Sequence, residues 1–380
     1  MNLSAWKYWP AYAVVVLGLL FTMDAPARLL VTGEDTVSGQ VRIYSDQGVY
    51  LSQFMQPTVG GDLDGPAAIR LGPDGNVYII SAGNRVVRYM QSGQFIDEFI
   101  PASSGLDGAK DMVFGPDSNL YISTENGDVL RFNGLTGASM GTFVAKGAGV
   151  AGVDGCGILD EAMAITFAPG GFLLVGNDPS GVAGCSILPS SDRPYNVLKF
   201  NGTTGAFVSV LIPTNDHRMY DPNGFVIGAD GNLYIAEENL NNVASPGPGR
   251  VLRYNATSGA FINEFVPGTV GGIVEPEGII FGFAGDLYVS SGDGDQNGGM
   301  MVYRYNGTTG AFVSVVAADG TSGAWQDPKG ILYIPDPNNA SVPAPTLSRW
   351  SLFALSILLL VLGCGIVASR RAASGRMTGC

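Results

Sequence analysis

The 380-residue sequence contains a single histidine, His217, and this scarcity excludes several classes of active site. A Ser-His-Asp triad needs a histidine beside its nucleophile, and zinc sites built from several imidazoles need more than one. No glycine-rich phosphate loop precedes a helix. The sequence therefore identifies no catalytic residue and favours a protein that is not an enzyme.

Charge is also scarce, and basic residues are in the minority. Charged residues make up 14% of the chain, with 20 Lys and Arg against 33 Asp and Glu, giving a net charge of −13. Such a surface repels phosphate backbones and favours cations. We therefore expect no nucleic-acid partner.

Only four cysteines are present. Cys156 and Cys185 both fall in an irregular stretch, and an envelope location would allow them to form a disulfide. Sequence cannot show whether their Cα atoms come close enough, so the pairing stays open here.

What the chain has in quantity is a repeated β-hairpin. Residues 251–267 (VLRYNATSGAFINEFVP) alternate apolar and polar side chains on both sides of a turn built from Asn255 and Gly259. This pattern is typical of a hairpin. Five similar hairpins begin at Val41, Val86, Val129, Val197 and Val302.

A second unit, of the form GPDGNVYI, alternates with the hairpin. Copies begin at Gly72, Gly115, Ala168, Gly228, Gly282 and Asp327. Repeats of roughly 40 to 60 residues with four strands each are typical of propeller blades. The first hairpin lacks its partner unit and the last unit lacks its hairpin, so pairing the chain ends would complete a sixth blade and remove open sheet edges. We predict an all-β, six-bladed β-propeller over residues 39–336, with residues 28–38 as a loose lead-in.

Both ends carry signals for export. Residues 1–27 combine Lys7, an apolar stretch and Ala25-Pro26-Ala27, which predicts a cleaved signal peptide. Residues 337–350 form a linker, and residues 351–369 are 19 residues without a charge, long enough as a helix to span about 28 Å of membrane. The basic tail, 370–380, should be cytoplasmic, which places the propeller outside the cytoplasm as a single-pass envelope protein.

Two family resemblances follow from these motifs. The DP-x-G, GxDGNLYI and V-[LV]-R-[FY] patterns resemble NHL-type six-bladed propellers and their lactonase-like relatives. The C-terminal segment resembles the IPTL-CTERM sorting domain of Gram-negative bacteria, which implies envelope targeting and a sorting protease as partner. Its residues are Pro345, Thr346, Leu347 and Trp350 before the apolar segment, and Arg370 and Arg371 after it. Ala344 and Ser351 depart from that family's pattern.

The start of each inner strand offers a candidate site, because blades converge at the axis. Aligning the repeats places an acidic and polar arc at one channel mouth, made of Glu161, Asp221, Asn223, Glu275 and Glu277. Carboxylates and a carboxamide are ligands that suit Ca²⁺, and lactonase-like propellers hold a divalent metal at this kind of mouth. A solvated acidic rim explains the same residues.

A second candidate for Ca²⁺ is the loop containing Asp293, Asp295 and Asn297. It matches the first half of an EF-hand loop, but position twelve is Arg304, which excludes an EF-hand. A local calcium turn and a plain Asp/Asn/Gly turn both fit.

The sequence thus predicts a binding or scaffold module at the bacterial envelope, whose protein or glycan ligand it does not identify. Binding would use the channel mouth and the long loops 177–195 and 237–250. The alternative is a divalent-metal-dependent lactonase-type hydrolase with its site at that mouth.

Overall fold

The computed structural model describes residues 27–35, 39–55, 63–150, 156–179, 181–183, 185, 195–214, 219, 221–238, 248–292, 301–318, 325–326 and 328–335. Their strands form six antiparallel sheets. The innermost strands of successive sheets contact one another, and the last contacts the first. The ring is therefore closed, and the predicted six-bladed propeller is confirmed.

Each of the first five blades is a four-stranded antiparallel meander, and its strands follow one another in chain order from the axis to the rim. Blade 1 contains β4 (Ile69–Leu71), β5 (Val77–Ser81), β6 (Arg85–Tyr89) and β7 (Phe95–Ile100). Blade 2 contains β8 (Ala109–Phe114), β9 (Leu120–Thr124), β10 (Val129–Phe132) and β11 (Ser139–Val144). Blade 3 contains β12 (Glu161–Ala168), β13 (Phe172–Asp178), β14 (Asn196–Asn201) and β15 (Phe207–Ile212).

Blades 4 and 5 repeat this order. Blade 4 contains β16 (Pro222–Ile227), β17 (Asn232–Glu237), β18 (Arg250–Asn255) and β19 (Phe261–Val266). Blade 5 contains β20 (Pro276–Phe281), β21 (Leu287–Ser291), β22 (Met301–Tyr305) and β23 (Phe312–Ala318). A 3₁₀ turn at Ala102–Ser104 joins blades 1 and 2.

Blade 6 combines strands from both ends of the chain, as predicted, but the number of strands from each end differs from the prediction. The chain start supplies β1 (Ala27–Asp35), β2 (Gly39–Ser45) and β3 (Tyr50–Gln53), and the chain end supplies β25 (Ile331–Pro335) and the two-residue β24 (Trp325–Gln326). β1 lies between β2 and β25 and pairs with both. The sheet thus takes three strands from the chain start and its innermost strand from the chain end.

The prediction of a loose lead-in at 28–38 is wrong for β1. This strand begins twelve residues before the start predicted for the propeller, and it fills the second position of its blade. Leu29, Leu30 and Val31 are fully buried. Burial of three aliphatic side chains contributes several kcal/mol, at about 1.5–3 kcal/mol each, which explains why this segment is built into the sheet.

The GPDGNVYI unit forms a turn that is closed by its own side chains. In blade 1 the Asp74 carboxylate accepts hydrogen bonds from Asn76, through Nδ2 at 2.7 Å, and from the Tyr78 hydroxyl at 3.0 Å. Arg88 of β6 lies 3.7 Å from the same carboxylate. Equivalent aspartates, Asp117 and Asp230, make the same contacts with Asn and Tyr in blades 2 and 4. The motif therefore fixes the turn between the two innermost strands of a blade.

The tyrosine of this unit also joins neighbouring blades. The ring of Tyr78 lies edge-on to Phe99 of its own blade at 4.9 Å and to Phe114 of blade 2 at 5.0 Å. Tyr121 and Tyr234 repeat this contact with the next blade, and Tyr288 meets Tyr333 of blade 6 at 5.1 Å. Each such pair contributes roughly 0.5–1.5 kcal/mol beyond its buried area.

The hairpin glycine has a second role in blade packing. Gly259 adopts φ 74°, and a Cβ there would lie 1.8 Å from the Leu211 carbonyl oxygen on the outer strand of the preceding blade. The hairpin glycines of the other five blades make the same approach to the blade before them, so that Gly48 of blade 6 meets Val316 of blade 5. Glycine is required at this position both by the left-handed turn and by contact between blades.

The leader (1–26), linker, apolar segment and tail (336–380) lie outside the described residues, and their predicted roles remain predictions. No helix among the residues described is long and apolar enough to cross a membrane.

Candidate functional site

A cavity of about 500 Å³ lies on the propeller axis, at the end of the ring where the inner strands begin. Every blade contributes to its wall. The six equivalent positions, one from each blade in chain order, are Ala67, Lys110, Met163, Asn223, Glu277 and Lys329. Side chains of five different types therefore meet at one place, which is the pattern of a site supported by a repeated scaffold.

Bulges in the inner strands shape this end of the channel. The pairing of β8 with β9 shifts between Ala109 and Met112, and that of β12 with β13 between Ala162 and Ile165. Similar shifts occur in blades 4 and 5. A bulge leaves backbone groups without their ladder partner, and side chains must supply the missing hydrogen bonds.

Hydroxyl groups of the second strands supply these bonds and cross to the next blade. Ser290 Oγ accepts from Gly278 N–H at 2.7 Å and donates to the carbonyl of Lys329 at 2.7 Å. Thr32 Oγ1 accepts from Gly330 N–H at 2.7 Å and donates to the carbonyl of Ala67 at 3.0 Å. The backbone that carries the cavity residues is thus held by the neighbouring blade.

Asp111 links three blades beside the cavity. Its side chain is nearly buried and accepts from Arg70 Nη2 of blade 1 at 2.6 Å. It also accepts from its own strand at Met112 N–H, 2.7 Å, and from Ile165 N–H of blade 3 at 3.1 Å. The Asp111 carboxylate is therefore occupied in holding the ring together.

Lys110 forms a more exposed ion pair at the mouth. Its ammonium lies 2.7 Å from Glu125 and 4.0 Å from Glu161. Burial raises the pKa of Glu161, and the nearby Asp178, Glu125 and Asp160 charges raise it further, while Lys110 opposes them. The carboxylates on this side of the mouth are thus partnered by a cation.

Asn223 is fixed on the opposite side. Its Nδ2 lies 3.3 Å from Glu238 Oε1 and 3.3 Å from the carbonyl of Pro276 in the next blade. These bonds occupy the amide N–H groups.

The structure separates the predicted acidic arc. Asn223 and Glu277 line the cavity, whereas Glu161, Asp221 and Glu275 do not. The mouth also holds Lys110, Lys329 and Arg70. Among the described residues, no three His, Cys, Asp or Glu side chains form a group suited to a metal ion. The calcium turn at Asp293, Asp295 and Asn297 lies outside the described part of the chain.

The sequence pattern does not identify Lys329 as a cavity residue. The unit at Asp327 resembles GPDGNVYI, whose apolar end is a second strand, but Ile331–Pro335 is an inner strand. The signal for the correct alignment is the sequence Asp-Pro-Lys-Gly just before β25, which matches Asp-Pro-Asn-Gly at the start of β16 and Glu-Pro-Glu-Gly at the start of β20.

Cys156 and Cys185, whose pairing the sequence left open, form a disulfide with Cα atoms 4.8 Å apart. In the chain, Cys156 precedes β12 and Cys185 follows β13, so both lie at the same end of this antiparallel pair. Asn196 Nδ2 donates to the Cys156 carbonyl at 2.7 Å. The bond therefore ties together two connections at the cavity end of blade 3.

Comparison with known proteins supports the fold only. No family model matches the chain, and no curated protein matches it. A crystal structure of a protein of unknown function from Bacteroides caccae is 15% identical and has a TM-score of 0.50, covering 82% of this chain and 100% of that one. An X-ray structure described provisionally as a gluconolactonase is 14% identical and has a TM-score of 0.49, covering 72% and 89%. The first of these structures is similar in fold to the present chain.

Proposed function

We propose that this six-bladed propeller is an exported, membrane-anchored binding or scaffold module of the bacterial envelope, and that it binds its ligand in the axial cavity. The observation that carries the proposal is the convergence of one variable side chain from each blade on a cavity of about 500 Å³. Cavities of this size bury small ligands or the end of a larger one. Bulges and hydroxyl bridges between blades keep the wall rigid, which lowers the entropic cost of binding.

The ion pairs at the mouth favour binding over hydrolysis. Asp111 is held by Arg70, and Glu125 by Lys110, at 2.6 Å and 2.7 Å. A metal-dependent lactonase would need carboxylates that converge on an ion, with Glu161, Asp221, Asn223 or Glu277 as ligands. This hydrolase, with Ca²⁺ as its cofactor, is the alternative function.

One feature supports export. A disulfide such as Cys156–Cys185 persists in oxidising compartments, among them the periplasm and the cell surface.

Binding is tested with the full chain displayed in a Gram-negative host and probed with arrays of envelope glycans and proteins. The matched variant is Ala67→Trp, which fills the cavity at the position where the wall side chain is smallest. Ligands retained by the wild type and lost by Ala67→Trp support the proposal. Equal retention by both proteins would contradict it.

The alternative is tested separately by metal analysis of the purified protein and a lactone hydrolysis assay with and without EDTA. Bound Ca²⁺ together with EDTA-sensitive turnover that Glu277→Ala abolishes would favour the hydrolase. Localisation is tested by fractionation and by N-terminal sequencing, for which we expect Arg28 as the first residue of the mature chain.

A further inference from the structure

Exposed apolar side chains gather at the end of the ring opposite the cavity. Alternate turns of an antiparallel meander lie at opposite ends, so this end carries the turns between the first and second strands and those between the third and fourth. The exposed large hydrophobic side chains in or beside these turns are Val49, Leu71, Met90, Leu135 and Phe283. At the cavity end, Val150 is the single side chain of this kind within the described part of the chain.

The outer strands extend this apolar surface around the whole ring. Each of them starts at the same end, directly after its turn. Their first or second residues include four exposed side chains, which are Met140, Val208, Ile262 and Phe312. All six blades therefore present at least one large apolar side chain at this end, and an apolar surface of this extent indicates an interaction site.

Charge is distributed in the opposite sense. At the apolar end, aspartates of the turns are paired with arginines of the third strands, as Asp286 is with Arg304 at 2.6 Å. In blades 2 and 3 the cavity end carries Lys110 and Lys146 among a larger number of carboxylates, namely Asp107, Glu125, Asp128, Asp160, Glu161 and Asp178. Anionic lipids therefore repel the cavity end far more than the apolar end.

The turns at the apolar end also satisfy their own backbone. The Oδ1 atoms of Asn201, Asn255 and Asn306 each accept two backbone N–H groups of the same turn, at 2.9–3.0 Å. Polar groups that already have partners cost less to remove from water. These turns can therefore enter a lipid interface with their hydrogen bonds intact.

The chain ends restrict what can cover this surface. Ala27 pairs with Pro335 at the same end of the ring. The predicted linker continues to residue 350, and the uncharged segment 351–369 follows it. A flexible linker of this length has a root-mean-square span of about 20 Å, so a membrane that holds the apolar segment lies close to this end.

We infer that the apolar end of the ring rests on a phospholipid bilayer, with the side chains of its turns in the headgroup region. This inference rests on the membrane-anchored part of the proposed function and adds a second, peripheral contact with the same membrane. Tethering favours the contact because it keeps the local concentration of lipid high.

Photo-crosslinking of the full chain in vesicles of phosphatidylethanolamine and phosphatidylglycerol tests this contact. One variant carries p-benzoylphenylalanine at Phe283, and the matched control carries it at Val150. The two side chains are equally exposed, at 55%, but lie at opposite ends of the ring. We expect lipid adducts at position 283 to exceed those at 150 by about fivefold or more, measured by mass spectrometry.

A second probe at Leu135 examines the far side of the ring and should also give lipid adducts. Val49→Asp, added to the variant with the probe at Phe283, should lower the adduct yield because it brings a charge to the interface. Val150→Asp in the same background should leave the yield unchanged. Equal yields at positions 283 and 150, adducts at only one of the probes 283 and 135, or adducts of protein in place of lipid would overturn the inference.

Failure of the contact is distinguishable from failure of the anchor. A full chain that floats with the vesicles but gives equal adduct yields at both ends of the ring contradicts the contact and leaves the anchored module standing. A full chain that does not float with the vesicles contradicts the anchor and the contact together.

Discussion

The guanidinium of Arg70 and the carboxylate of Asp111 are joined at 2.6 Å across the boundary between blades 1 and 2. The same carboxylate accepts the backbone N–H of Ile165 in blade 3. One side chain thus connects three consecutive blades at the wall of the axial cavity. This arrangement makes the shape of the cavity depend on the integrity of the ring.

Asp111→Asn should destabilise the fold by about 2–4 kcal/mol, because an amide cannot accept all of these bonds and Arg70 loses its charged partner. Urea unfolding measures the change. The control is Asp97→Asn, whose ion pair with Arg88 is closer to solvent, with Asp97 43% exposed. That variant should lose no more than about 1 kcal/mol. Equal losses would show that Asp111 does not hold the blades together.

Leu30→Ala should cost about 2–5 kcal/mol, since Leu30 is fully buried in the closing blade. The same unfolding experiment checks it. Leu135→Ala, at a side chain that is 78% exposed, provides the control and should change stability by less than about 0.5 kcal/mol. A negligible effect of Leu30→Ala would restore the interpretation of this segment as a loose lead-in.

Gly259→Ala should destabilise by more than Gly272→Ala. Both glycines have positive φ, 74° and 87°, but a Cβ at 259 meets Leu211 O at 1.8 Å and a Cβ at 272 meets nothing within 4 Å. Gly272→Ala should therefore show the cost of the turn alone, about 1–2 kcal/mol. The excess at Gly259, measured by thermal unfolding, reports the contact between blades. Similar costs at both positions would mean that only the turn requires glycine.

Stability should fall at alkaline pH through the tyrosines of the GPDGNVYI units. Burial raises the pKa of Tyr78 to about 12, with opposing effects of Arg88 and Asp74, from an ordinary value of 10.0. Between these values the unfolded state releases a proton that the folded state retains, so unfolding becomes easier as pH rises. Tyr78→Phe should show a smaller loss of stability between pH 10 and 12 than the wild type. Tyr50→Phe, at an exposed position, should follow the wild-type curve.

Much of the fold follows from the sequence because its signals are local. Alternation around Asn255 and Gly259 is written within one hairpin, and the spacing of the repeats determines the blade count. β1 was missed since its apolar residues continue from the leader and it has neither the turn nor the tyrosine of the other second strands.

The site was only partly predictable, because its chemistry depends on which residues meet across blades. The sequence placed Asn223 and Glu277 at the mouth, and both line the cavity. The sequence did not place Lys329 at the mouth, because that placement requires β25 to be recognised as an inner strand. The engagement of Asp111 by Arg70, 41 residues away, has no signature in either strand.

The register of the closing sheet has a consequence for how the molecule is mounted. Ala27 of β1 pairs with Pro335 of β25, while Lys329 and Gly330, at the other end of β25, adjoin the cavity. Ala27 and Pro335, where the chain enters and leaves the closing sheet, therefore lie side by side on the face opposite the cavity. A tether attached at either exit would therefore hold the propeller with its axial cavity facing away from the surface to which the tether is fixed.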